Sequence, residues 1–184
     1  MTKRGILAYG AYVPRLRLRR ETIAEALAWN NPGLKSQAKG ERSICAWDED
    51  SLTMAVEAAR DCRLDDLDAP ESLVLASTTL PFADRDNAAL VTEALDLPET
   101  INTLDISSSQ RAGTSALANA LNTATGSSLL IASDCRETQP ASPLEMQTGH
   151  GAAAMLVGEG KQLLAQCLGH RAVSRDLVDH YRSS

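Results

Sequence analysis

The sequence predicts a layered α/β fold, with a sheet lying against helices. Three observations point there. Short β-rich apolar runs alternate with segments of helical period along the whole chain. Two of the runs, residues 129–133 and 152–157, are almost wholly apolar, as strands covered on both faces are. The apolar residues are mostly alanine and leucine, and aromatics make up only 3% of the 184 residues, which suits helices packed closely on a sheet.

Taken in order, residues 5–13 read as a strand that stops at Pro14, where the missing N–H cannot continue a ladder. A basic island follows, with Leu16 and Leu18 alternating between Arg15, Arg17, Arg19 and Arg20, the pattern of an extended, half-exposed segment. Residues 22–29 predict a helix ended by the turn chemistry of Asn30-Asn31-Pro32-Gly33. A polar loop at 39–42 precedes Asp48-Glu49-Asp50-Ser51, an acidic helix start, and Leu52, Ala55, Val56 and Ala59 give residues 52–62 a helical period. Then come a strand at 72–76, a loop at 77–86, an amphipathic helix at 87–95 and a strand at 101–106. Ala112, Ala116, Ala120 and Ala124 are spaced for close packing in a helix over 111–124. The strand at 129–133, a loop at 136–148 and the strand at 152–157, ended by Gly158-Glu159-Gly160, follow; residues 162–168 suit one more strand. Residues 1–170 form one domain, and the polar 171–184 a tail or docking segment.

Bulk properties narrow the function. A net charge of -6 argues against general nucleic-acid binding. No apolar run reaches membrane-spanning length, and with no signal peptide in view the expected compartment is the cytoplasm, where thiols are reduced. Cys45, Cys62, Cys135 and Cys167 are scattered without a CxxC pair, so no metal site is expected.

The stretch Leu104-Asp105-Ile106-Ser107-Ser108-Ser109-Gln110-Arg111-Ala112-Gly113-Thr114 reads as a strand, a sharp polar turn and the opening of a helix. A side chain displayed there gains from the helix dipole and free backbone N–H groups. The residue on display is Gln110 or Arg111, with no cysteine nearby in sequence.

These motifs resemble the thiolase superfamily, in particular its hydroxymethylglutaryl-CoA synthase and ketoacyl synthase III branch. The matching pieces are Gly10-Ala11-Tyr12-Val13-Pro14-Arg15, Lys39-Gly40-Glu41-Arg42-Ser43 with Trp47-Asp48-Glu49-Asp50-Ser51, Ala76-Ser77-Thr78-Thr79-Leu80-Pro81-Phe82, Gln110-Arg111-Ala112-Gly113-Thr114-Ser115, and Gly149-His150-Gly151-Ala152-Ala153-Ala154. They occur in the family's order. The resemblance implies a three-layer half-domain, a mixed sheet between helices, corresponding to the N-terminal of two similar halves. On it the acyl-accepting cysteine falls at Gln110, or at Arg111 with a one-residue shift. The acid/base carboxylate falls at about Thr78, and the aspartate of a Gly-Asp-Gly turn at His150. None of these side chains can do the family's work, so the resemblance implies a degenerate site.

Each position carries two readings. Gln110 and Arg111 either hydrogen-bond an oxyanion or carboxylate, or remain for packing only. Arg15 and Arg17, with Lys39 and Arg42, either meet the phosphates of a coenzyme A thioester or are solvated charges on a strand edge. Trp47 reads as core rather than a stacking face, His150 as a structural histidine without a partner, and Cys135 as an inert buried thiol with no base beside it. His170 and His180 read as surface residues.

The expected function is that of a subunit of a CoA-thioester carbon–carbon bond-forming or bond-cleaving complex, inactive alone and with no covalently bound cofactor. A non-catalytic scaffold and a retro-aldol lyase subunit are the alternatives. An exposed half leaves an apolar face, so the expected partners are a second copy, pairing through residues 129–133 as in the family, or a complementary C-terminal-half subunit. A zinc-ribbon/OB-fold companion is a further partner the resemblance implies.

Overall fold

The computed structural model describes residues 3–62, 68–107, 109–122, 126–173 and 175. Its main sheet has six strands in the order β5-β4-β6-β7-β1-β8. These are β1 (Lys3–Tyr12), β4 (Ser72–Ala76), β5 (Asn102–Ile106), β6 (Ser128–Asp134), β7 (Gly151–Gly160) and β8 (Ala165–Gln166). Strands β4, β5 and β6 are parallel, whereas β7 runs antiparallel to both β6 and β1, so the sheet is mixed as expected.

Strand parity distributes the core between the two faces. Leu73, Leu75, Leu129, Ile131, Ala154 and Leu156 point to one side, under α2 (Ser51–Asp61) and α3 (Asn87–Ala94). Ala76 and Leu130 point to the other, under Ala112 and Ala116 of α4 (Ala112–Asn122). The result is three layers. Helix α2 starts at a capping box: the Asp50 carboxylate accepts from Leu52 and Thr53 N–H, and Asp50 N–H in turn donates to the Thr53 hydroxyl oxygen. Gly10 lets its C-terminal end rest directly on β1, for a Cβ there would lie 2.3 Å from Cys62 N and 2.4 Å from the Ala58 carbonyl oxygen. Helix α4 covers its face only in part. Tyr9, which faces Met155 across β1 and β7, is 68% exposed, and Leu104 on β5 is 46% exposed.

A smaller unit sits beside the sheet. Strands β2 (Leu16–Arg19) and β3 (Glu41–Ile44) form a two-stranded antiparallel ribbon, joined through α1 (Arg20–Leu27) and a 3-10 turn at Pro32–Gln37. Ile23, Ala24 and Leu34 close a second core with Ala141 and Met146, the latter on α5 (Pro143–Gln147).

Several expectations are corrected. The basic island is extended as read, but the polar loop at 39–42 gives way at Glu41 to β3. So short a polar strand carries no apolar alternation, and its ribbon partner alone defines it. Helix α1 begins at Arg20, because β2 runs straight into it. The loop at 136–148 contains α5, which Pro143 at the first position and the Ser142 hydroxyl, accepting from Glu145 N–H, start. Strand β7 does not stop before Gly158 but runs on through Gly160: both glycines pair with β1, and the Leu7 side chain occupies the space their Cβ atoms would take. The strand at 162–168 shrinks to β8, and residues 174 and 176–184 of the tail, His180 included, lie outside the described residues. Strand β6, expected to pair across a dimer, is paired on both sides within the chain; the edge strands are β5 and β8.

Candidate functional site

The parallel strands end level, with Ala76 in register with Ile106 on one side and Ala132 on the other. Their following loops meet at the carboxyl edge of the sheet, where α/β proteins gather their sites. Asp134, at the end of β6, organises this edge. Its Oδ1 accepts from Thr78 N–H (2.7 Å), the Thr78 hydroxyl (2.9 Å) and the Ser77 hydroxyl (3.2 Å). The turn after β5 is held by Ser109, whose hydroxyl accepts from Arg111 N–H at 3.2 Å, and α4 then begins with Gly113 close against Ala132.

Between these loops lies a cavity of about 290 Å³, bordered by Thr78, Gln110, Gly113, Leu130, Asp134 and Met155 among others. The structure thus brings Thr78 and Gln110 to one cavity. Arg111 is exposed and does not border the cavity, and its carbonyl receives the Thr114 hydroxyl and Ser115 N–H. Asp134 was missed from sequence. An aspartate closing an apolar strand beside a Ser-Thr-Thr turn was the available signal.

The four basic candidates are dispersed. Arg15 and Lys39 are exposed, and Arg17 turns to the Pro14 carbonyl and to Glu41, 3.6 Å away. Arg42 is buried, giving one Nη1 bond of 2.9 Å to the Glu145 carbonyl, so it is not a phosphate-facing loop residue. Trp47 is 97% exposed and belongs to no core.

A second cavity, about 530 Å³, adjoins the first through Thr78 and is bordered by Glu49, Ser51, Thr79, Cys135, Arg136 and Glu137. Glu49 is held below the usual carboxylate range by Ala46 N–H and by the Tyr12 hydroxyl, which is raised in turn.

Cys135 corrects two expectations. It is half-buried, with its Sγ 3.0 Å from Cys45 Sγ and 3.5 Å from His150 Nδ1, so the thiol has a base and the histidine has partners. Cys45 N–H donates to Nδ1 at 2.9 Å, which assigns the ring proton to Nε2, 3.1 Å from the Arg136 carbonyl. The Arg42 guanidinium lies 3.3 Å from Nε2. The three donor atoms fall within 4.8 Å of one another, a spacing that also suits a thiophilic cation. Cys45 N–H, however, already occupies the Nδ1 lone pair.

Burial, with a further contribution from Arg42, pulls the His150 pKa below 6.5. Between that depressed value and 6.5 the unfolded chain binds more protons than the folded one. Stability is therefore complete above pH about 6.5, falls as the pH drops toward the folded value, and then levels off. Thermal melts across pH 5–8 are expected to show this slope in the wild type and to lose it in His150→Gln.

No protein-family model matches the chain. It is 32% identical over 187 residues to the hydroxymethylglutaryl-CoA synthase of Methanopyrus kandleri and 30% identical over 187 residues to that of Thermococcus onnurineus; the matches take in 97% of this chain. The chain spans about half the length of these relatives, 53% and 52% respectively. Among solved structures, MvaS in complex with 3-hydroxy-3-methylglutaryl coenzyme A matches with a TM-score of 0.73 and 25% identity, over 86% of this chain and 40% of that one. The 3-oxoacyl-(acyl carrier protein) synthase III of Pseudomonas aeruginosa, at 0.71 and 23% identity over 86% of this chain and 51% of its own, shares the fold. Among the described residues no helix is long and apolar enough to cross a membrane. From a likeness that runs through nearly the whole chain in sequence and most of it in structure, the chain belongs to the thiolase superfamily, in its hydroxymethylglutaryl-CoA synthase and ketoacyl synthase III-like branch, and corresponds to the N-terminal half of such a protein.

Proposed function

We propose that this chain supplies one wall of the acyl pocket in a CoA-thioester condensing or cleaving complex, and that a partner supplies the reactive groups. One observation carries the reading: the cavity where β4, β5 and β6 end is lined largely by apolar side chains and holds Gln110 and Thr78, with no thiol among its described lining residues. An amide at that turn can donate a hydrogen bond to a thioester oxygen but cannot form an acyl-enzyme. The substrate class is a coenzyme A thioester, in keeping with relatives whose structures hold coenzyme A or its hydroxymethylglutaryl ester.

The exposed edge of β5 and the uncovered apolar side of the sheet around Tyr9 and Leu104 support a partner, either a second copy or a C-terminal-half subunit. The same exposed face supports the second reading, a scaffold kept for assembly.

Calorimetric titration of the chain, and of its purified complex, with acetyl-CoA separates the two. Binding that weakens about fivefold in Gln110→Ala, as loss of one hydrogen bond to the thioester oxygen would produce, is the expected result. Mass spectrometry should find no acyl adduct at residues 107–114. If neither the chain nor the complex binds any CoA ester, the scaffold reading stands.

A further inference from the structure

The three side chains at the second cavity come from distant parts of the sequence. Cys45 follows β3, Cys135 follows β6, and His150 precedes β7. Their arrangement has the parts of an activated thiol: a nucleophile, a base 3.5 Å away, and a carbonyl, that of Arg136, fixing the base's tautomer through the other ring nitrogen. A second thiol sits 3.0 Å from the first. That separation is shorter than ordinary contact between two sulfur atoms, about 3.6 Å, and about 1 Å beyond a covalent S–S bond. Only Cys135 borders the cavity, while Cys45 lies behind it, 3.7 Å from the buried Met54 Sδ.

We propose that Cys135 and Cys45 form a thiol–disulfide exchange site: Cys135 attacks small-molecule disulfides entering from the second cavity, His150 is its base, and Cys45 is the resolving thiol. The Cys135 thiol gives its proton to Nδ1 as the bond that nitrogen accepts from Cys45 N–H is displaced, and the thiolate attacks one sulfur of R–S–S–R. The S–S bond to the other sulfur breaks, and the leaving thiolate takes the proton from the imidazolium as R–SH. Cys45 then loses its proton to the same nitrogen and attacks Cys135 Sγ. The second R–SH departs with that proton, and a Cys45–Cys135 disulfide remains. Two protein thiols are oxidised, one external disulfide is reduced to two thiols, and no other reactant is needed.

The order of attack follows from position. Burial, together with the hydrogen bond to Cys135, pushes the Cys45 thiol up to about 12, so it stays protonated until Cys135 carries the leaving group. The Arg42 guanidinium beside the ring favours a thiolate over a bound dication. Cys62 and Cys167, outside the cluster, are internal controls.

The test uses the full chain, reduced, desalted and titrated with oxidised glutathione at pH 7. Peptide mapping is expected to show a Cys45–Cys135 cross-link before any change at Cys62 or Cys167. Cys45→Ser should stop at a glutathione adduct on Cys135, and His150→Ala should slow wild-type-like cross-linking at least about tenfold. The wild-type map alone decides the matter if a variant fails to fold. Reaction confined to Cys62 or Cys167, absence of the cross-link, or one equivalent of zinc retained through purification and shielding both thiols would each overturn the assignment.

Discussion

Gly10→Ala is expected to be among the most damaging conservative changes in this chain, lowering stability by about 3 kcal/mol or more. The added methyl would meet the backbone of α2 rather than a movable side chain: Cys62 N at 2.3 Å, the Ala58 carbonyl oxygen at 2.4 Å and the Asp61 carbonyl carbon at 2.7 Å. Relief requires the end of α2 to lift off the sheet, opening the main core around Ala55, Ala58 and Ala59. For a domain of this size the corresponding drop in Tm is about 6–12 °C. Gly33→Ala, where the nearest atom is a side-chain oxygen at 3.1 Å, provides the comparison and should change Tm little. Equal melting of the two variants would contradict the direct helix-on-strand packing described above.

Asp134→Ala is the second large expectation, at about 2–4 kcal/mol, and it should remove ligand binding as well. One carboxylate oxygen receives Thr78 N–H, the Thr78 and Ser77 hydroxyls, and more distantly the Thr79 hydroxyl at 3.4 Å. Alanine leaves the Ser77 and Thr78 donors without this acceptor and frees the loop that forms one side of the 290 Å³ cavity. Asp134→Asn keeps an acceptor of the same shape and should retain at least half of the lost stability. Chemical denaturation of both variants, read beside their acetyl-CoA titrations, checks the pair. A fully stable Asp134→Ala protein would show that the loop stands without its carboxylate.

The strands and helices of the main sheet were legible because their apolar residues repeat with the period of the element and face a large core. Helix α2 is the example, with Met54, Ala55, Ala58 and Ala59 on its buried face. The ribbon of β2 and β3 was not, since Arg17, Arg19, Glu41 and Ser43 have no burial pattern to display and are specified by each other. Helix α5 left a trace that was passed over, Ser142-Pro143-Leu144-Glu145, a start signal too short to carry a periodic stripe. The site divides in the same way. Gln110 was legible from the strand–turn–helix pattern at 104–114, and Thr78 only through the family resemblance. The meeting of Cys45, Cys135 and His150 spans 105 residues and arises from tertiary structure, the end of ribbon strand β3 lying against the ends of β6 and β7.

The satellite core around Leu34 and Met146 has a consequence for how the molecule opens. Arg20 donates from Nε to the Met146 carbonyl at 2.5 Å, Arg42 to that of Glu145, and Asn31 to that of Ala141 at 2.9 Å. Ser43 and His150 exchange a further pair of bonds through Ser43 Oγ and the two backbones. The N-terminal excursion at 16–44 and the segment at 141–150 thus share one core and one set of hydrogen bonds, and native-state hydrogen exchange is expected to release their amides together rather than one segment before the other.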